Sequence, residues 1–111
     1  PVNPIEGIIG GFFTRTLPVA KSKGLAVIGM KILGAGHYIE PRLGVTPELL
    51  IRYALAQAIT VAIVGCASPD EVKALAETGR LQAPLPDADQ EKLLEIFRPH
   101  ARRLAFYRGV I

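Results

Sequence analysis

Two stretches of the chain are apolar almost without interruption, residues 25–30 (LAVIGM) and 60–64 (TVAIV). A run of five or six apolar residues suits a strand whose two faces are both covered, as in a parallel sheet flanked by helices. Between and after them the apolar positions space out to the helical period. Leu49, Leu50, Tyr53, Ala54 and Ala58 share one face of a helix that Thr46 caps, with Pro47 and Glu48 in its first turn. Ser68, Pro69, Asp70 and Glu71 spell a second helix start. The Ser68 hydroxyl accepts from the Glu71 amide while the Glu71 carboxylate reaches back, and Pro69 takes the first helical position. This helix is expected to pack Val72, Leu75 and Ala76 and to stop at Gly79. A strand that runs directly into a helix N-terminus can present backbone N–H groups to a phosphate.

The flanks complete the pattern. Residues 1–13 read as a loop with apolar anchors, because two prolines and three glycines interrupt them. Residues 14–22 read as a helix with Leu17 and Ala20 on one face and Pro18 in the first turn or at a kink. Gly24 supplies a left-handed cap after Lys21 and Lys23. Residues 31–45 form a long loop with Gly34, Gly36, Pro41 and Gly44, and such loops at strand ends often carry function. Residues 80–86 are a linker. A last helix opens at Asp87 with Gln90 in a second capping box, burying Leu93, Leu94, Phe97 and Ala101 up to a break at Pro99. Helix, strand, helix, strand, helix, helix is the order of an α/β chain built from parallel β/α units. A single domain, 1–111, divides into the loop 1–13, the β/α units 14–79, and the linker and helix 80–111.

Composition narrows the setting. Half of the 111 residues are hydrophobic, enough for one packed core. No apolar run reaches the roughly 18 residues of a membrane span, and the N-terminus lacks a signal-peptide pattern. The single Cys66 cannot form an internal disulfide, which favours a reducing compartment, the cytoplasm. The net charge of +3 sits in the tail: residues 98–111 hold Arg98, Arg102, Arg103 and Arg108 and no acid. These arginines read as solvated groups beside a helix C-terminus. No aromatic stacking platform or nucleic-acid motif accompanies them, which argues against a nucleic-acid partner.

Candidate chemistry is sparse. His37, near Tyr38 and Glu40, and His100 lie far apart, and no Cys or acidic cluster has metal-ligand spacing. Cys66, at a strand end near a helix start, is either a thiol of depressed pKa or a small apolar filler. Lys31 follows a strand and either meets a phosphate or lies in solvent. No G-x-G-x-x-G follows the first strand, where Gly34-Ala35-Gly36 leads into His37. Acid, base and nucleophile do not form a set, so the residues describe a cofactor cradle or a scaffold without a reaction centre.

The segments PVNPIEGIIGGFFTRTLPVAKSKGLAVIGMKILGAG and LLIRYALAQAITVAIVGCASPDEV together resemble the aldo-keto reductase family. Residues 17–34, 52–57 and 62–72 carry the likeness most specifically, in the family's order. The resemblance implies a (β/α)8 TIM barrel binding NADP or NAD at its C-terminal mouth. Such a barrel takes about 250 residues, so this chain would supply its last two β/α units and the C-terminal helix. The Asp, Tyr, Lys and His that act together in the family have no counterpart here; Tyr53 and Lys31 are not those residues. What carries over is cofactor contact. Met30 falls where a side chain packs beneath the nicotinamide, and Leu33 and Gly34 fall in the loop beyond the pyrophosphate. Gly65, Cys66 and Ser68 fall in the turn that holds the adenosine 2′-phosphate. Plain core packing is the alternative for Met30 and Leu33. Glu71 stands where the family often has Arg, and Leu75 where it has Asn for adenine, which leaves NADP against NAD open. The implied function is part of an oxidoreductase that transfers hydride between a nicotinamide cofactor and a carbonyl or alcohol, inactive in isolation. The alternative is a non-enzymatic interaction or scaffold protein. Two strands cannot close a barrel, so its exposed edges would seek the missing N-terminal half or a second copy.

Overall fold

A left-handed glycine decides where the first strand begins. In the computed structural model, which describes residues 1–81 and 83–108, helix α2 (Leu17–Ser22) ends at Gly24, φ +65°. Leu25 N–H donates to Ala20 C=O at 3.0 Å and Gly24 N–H to Lys21 C=O at 3.1 Å. This is a Schellman cap, and it draws Leu25 into the helix end. Strand β1 is therefore shorter than the apolar run, Ile28–Gly29, and pairs in parallel with β2, Val61–Ala62. Ile28 lies opposite Val61 and Gly29 opposite Ala62. Flanking bonds extend the ladder: Thr60 N–H donates to Val27 C=O at 2.8 Å and Ile63 N–H to Gly29 C=O at 2.9 Å.

The expectation that both strand faces are covered is corrected. Val27, Gly29, Ala62 and Val64 face the interior, whereas Ile28, Met30, Val61 and Ile63 are 46–59 % exposed. The core lies to one side, among helices and loops. Ile5, Ile32, Tyr38, Val45, Leu50, Ile51, Tyr53, Ala54, Leu93 and Phe97 are all buried in it. Among the described residues the chain is a mixed α/β domain, mostly helical, around one two-stranded parallel sheet. Its Cα radius of gyration is 13.5 Å, close to the ~13 Å of a globular chain of this length, so the helices close on a single core.

Residues 1–13 are not a loop throughout, because α1 spans Pro4–Ile9. Asn3 caps it, accepting from Glu6 N–H at 3.1 Å, and Pro4 holds the first helical position. The prolines and glycines counted against structure sit where a helix tolerates them. Gly10 and Gly11 follow the helix at positive φ, and a Cβ on Gly7 would strike the Tyr53 hydroxyl. Residues 12–22 form one turn of π-helix, Phe12–Thr16, running into α2, with Pro18 in the first turn of α2 as expected. Thr46 caps α3 (Pro47–Leu55) through Leu49 N–H at 3.2 Å.

The fourth helix, α4 (Pro69–Leu81), runs through Gly79. A glycine within a helix costs about 1 kcal/mol and does not by itself end one. Its covered face is also rotated from expectation: Val72 and Ala76 are exposed, Leu75 is half-buried and Thr78 is buried. The last helix, α5 (Asp87–Phe97), opens at Asp87 without the second capping box, since Pro86 is the N-cap and its carbonyl accepts from Gln90 N–H at 2.9 Å. The Gln90 side chain instead accepts from Gln57 Nε2 at 3.1 Å and donates to Leu85 C=O at 2.8 Å, tying α5 to the end of α3. Leu93, Phe97 and Ala101 are buried and Leu94 half-buried, as the pattern implies. In the basic tail, Arg98 pairs with Glu95 at 3.0 Å and Glu91 at 3.3 Å, the solvated reading. Gln82 of the linker and residues 109–111 of the tail lie outside the described residues.

Gly34 provides a test of the packing. At φ +58° it lies beneath the Tyr38 ring, which a Cβ would meet at 2.5 Å, so Gly34→Ala should cost about 2–4 kcal/mol through overpacking and backbone strain. A thermal or urea melt measures the loss; an unchanged midpoint would contradict this packing.

Candidate functional site

Both strands end at one groove. Beyond Gly29 the chain passes Met30 to Lys31, which takes φ +57°, a strained value for a side-chain-bearing residue. Two bonds hold this corner. Asn3 Nδ2 donates to Lys31 C=O at 3.0 Å, and Val2 N–H to Met30 C=O at 2.9 Å. Beyond Val64 the chain passes Gly65 and Cys66 to the start of α4. The two exits, with Ile51 of α3 and the inner face of α4, enclose a groove of about 840 Å³. That is the size of a small-molecule site, at the carboxyl ends of parallel strands where ligands of α/β proteins bind.

Four of the six predicted site residues meet in it. Met30, Leu33, Gly65 and Cys66 all line the groove, although Leu33 and Gly65 are far apart in sequence. Gly65 has open space where a Cβ would stand, so its backbone is approachable. The half-buried Cys66 turns its thiol to Val64 C=O at 3.8 Å. The other two lie off the groove lining. Gly34 is buried under Tyr38, and Ser68 caps α4 beside a shallower depression shared with Cys66 and Lys73.

Two of the backbone donors at the corner before α4 are used internally. Ser68 Oγ accepts from Glu71 N–H at 3.2 Å, and the Glu71 carboxylate accepts from Ala67 N–H. The carboxylate thus reaches one residue further back than a standard capping box and occupies the anion position of the helix N-terminus.

Of the helical walls only Glu71 and Leu75 stand out in the sequence, through the resemblance. Glu71, Ala74, Leu75, Thr78 and Leu81 line the groove from α4, and Glu48 and Ile51 from α3. Their spacing of three and four was legible as a helical stripe. The buried Thr78 hydroxyl is satisfied within its helix, donating to Ala74 C=O at 2.8 Å, so it presents no orphan polar atom. Among the described residues lining the groove Lys31 is the single cation, and its Nζ stands 5.4 Å from the Tyr107 ring centroid.

Neither histidine joins the groove lining; His37 packs against Phe106 with ring centroids 5.1 Å apart. Among the described residues no group of His, Cys, Asp or Glu could hold a metal, and no helix is long and apolar enough to cross a membrane. The two buried tyrosines serve the core. Tyr38 Oη donates to Leu104 C=O at 3.0 Å, and Tyr53 lies against Gly7 of α1. No protein-family model matches the chain, and neither the curated proteins nor the solved structures give a match.

Burial pushes both phenols above the usual tyrosine range. A raised folded-state pKa makes this contribution complete below the unfolded value and lost as pH rises. Stability should therefore decline above about pH 10, by up to about 1.4 kcal/mol per pH unit for each phenol. Tyrosinate absorbance and circular dichroism should change together in an alkaline titration. Two tyrosines ionising at the ordinary value in a still-folded chain would contradict their burial.

Proposed function

We propose that this chain is the C-terminal part of an NAD(P)H-dependent aldo-keto reductase, holding part of the cofactor site of a (β/α)8 barrel. The observation that carries this reading is the groove, which gathers Met30, Leu33, Gly65 and Cys66 from two loops at the ends of parallel strands. The parallel register of β1 and β2, with α3 between them in sequence, is also what consecutive β/α units require. The apolar walls and volume suit a nucleotide, with Met30, Leu33, Gly65 and Cys66 all on its lining. When bound, the cofactor supplies hydride for a carbonyl or accepts it from an alcohol. This chain's contribution is to hold and orient it, and the groups that move the proton lie elsewhere in the parent.

Titration of the labelled chain with NADH should shift amide signals of Met30, Gly65 and Cys66 with millimolar or weaker affinity. The same protein should reduce no carbonyl substrate. Absence of those shifts, or turnover by the isolated chain, would overturn the reading.

A second reading, an interaction or scaffold protein, draws on one specific observation: Ile28, Met30, Val61 and Ile63 form an exposed apolar face on the sheet. On that reading the chain self-associates through this face, and light scattering should report a concentration-dependent dimer that Ile28→Lys with Ile63→Lys reduces to monomer. A wild-type chain monomeric at high concentration would remove this alternative.

A further inference from the structure

We infer that the C-terminal turn of the chain is a strap that closes one wall of the groove, holding residues 31–36 in a backbone shape that they leave when it lifts. The wall is the loop after β1, which lends Lys31, Leu33, Ala35, Gly36 and Ile39 to the groove lining. Lys31 and Ala35, at φ +57° and +53°, are the two non-glycine residues of positive φ among the described residues, and both line the groove. Such conformations persist only where their surroundings impose them, and outliers gathered at one cavity point to a constraint imposed there. Asn3 and Val2 bond the Lys31 end of the loop. At the Ala35 end the backbone bonds are short turns within the loop itself, Gly36 N–H to Leu33 C=O and His37 N–H to Gly34 C=O, both at 3.0 Å. Turns of this kind hold their shape against strain only when something beyond the loop packs on them.

The tail supplies that packing. Tyr38 Oη donates to Leu104 C=O at 3.0 Å, a buried bond across 66 positions of sequence. Phe106, in the short turn Phe106–Arg108, stacks on the Tyr38 ring with centroids 6.2 Å apart and planes 7° from parallel, and tilts against His37 at 5.1 Å. The Tyr107 ring faces Lys31 Nζ at 5.4 Å. Tyr38 in turn lies on Gly34, so contact runs from Phe106 through Tyr38 into the turn that carries Ala35. The fastening is a surface one. Leu104 and Ala105 are buried, but Phe106 is 47 % exposed and Tyr107 half-buried. Each aromatic pair adds little, and a segment held by such contacts opens at a lower free energy than the core. The strap therefore lifts and reseats while α3 stays folded, and with each lift Lys31 and Ala35 relax and the groove loses a wall. Access to the groove is conditional on the tail, whichever molecule the groove takes.

Amide hydrogen exchange, followed residue by residue in the full chain, tests this without any ligand. In the wild type the loop amides of Gly36, His37 and Tyr38 should open together with the Leu104 amide, which bonds His100 C=O at 3.0 Å. All four should open more readily than Tyr53 and Ala54 in α3. Phe106→Ala removes the ring contacts at an exposed position and should speed exchange of the loop amides about tenfold, with α3 unchanged. Tyr38→Phe keeps the ring and loses the bond to Leu104, and should act in the same direction. A wild-type loop as well protected as α3, or a Leu104 amide that opens without the loop, would overturn the inference. So would a loop that Phe106→Ala leaves unchanged. Equal acceleration of the loop and α3 would overturn it too, by making the tail ordinary core packing. Should Phe106→Ala fail to fold, the wild-type comparison decides alone.

Discussion

The buried amide of Asn3 joins the parts on which the groove depends. Its oxygen accepts from Glu6 N–H and starts α1, and its nitrogen donates to the carbonyl of Lys31, the residue of positive φ at the end of β1. A left-handed conformation at a lysine costs on the order of 1 kcal/mol and persists only where its surroundings impose it. Here the imposition comes from the N-terminal segment, since Val2 N–H also bonds Met30 C=O next to the corner. Gly29 makes this close approach feasible; a Cβ there would meet Val2 at 3.2 Å and Ile59 at 3.1 Å. The direction in which the chain leaves β1, and with it one wall of the groove, is thus set by residues some thirty positions earlier.

The same arrangement explains why so small a sheet survives. A two-stranded sheet is marginal without further packing, and the parallel pair here contributes few ladder bonds. Stability comes from its covered face, against Val2, Ile59 and the helical core, and from α3, whose Leu50, Ile51, Tyr53 and Ala54 are buried. The opposite face has no cover, so its apolar side chains remain in water. That asymmetry is shared by both readings of function. It is the interior face of a larger sheet in one and a contact surface in the other.

Helix starts were legible because they are local. Thr46 with Pro47, and Ser68 with Glu71, announce themselves by chemistry confined to four residues, and the Gly24 cap likewise. The helix at Pro4 is hidden in the sequence because its proline and glycines signal a loop by number and a helix by position, Pro4 at the first helical residue and Gly10 just past the last. The strand cover was misread because an apolar run states what a strand tolerates, and only tertiary context states which face is met. The groove was half legible. Its loop residues stood out at the strand ends, while its helical wall needed the α4 stripe of Glu71, Ala74, Thr78 and Leu81 in place of the Val72 face. The resemblance to the aldo-keto reductases implies Met30, Leu33, Gly34, Gly65, Cys66 and Ser68 as a set, of which Ser68 caps α4 outside the groove lining. Gly34 stood out equally and has a packing role beneath Tyr38.

The two walls of the groove are held unequally. On one side α3 is anchored in the core, and the loop after β1 is braced from beyond it by the Tyr38 hydroxyl on Leu104 C=O. On the other side α4 keeps Thr78 as its buried residue and leaves Val72 and Leu81 exposed. An element with little buried apolar surface lies at the low-stability end of a structure and opens more readily than the core. Its N-terminus is nonetheless fixed to the strand exit by the reciprocal bonds of Ser68, Glu71 and Ala67. The helix is therefore firm where it joins the groove's end and loose along its length. A ligand filling the groove would cover Leu75 and Leu81, so part of its binding free energy would be spent on ordering that wall.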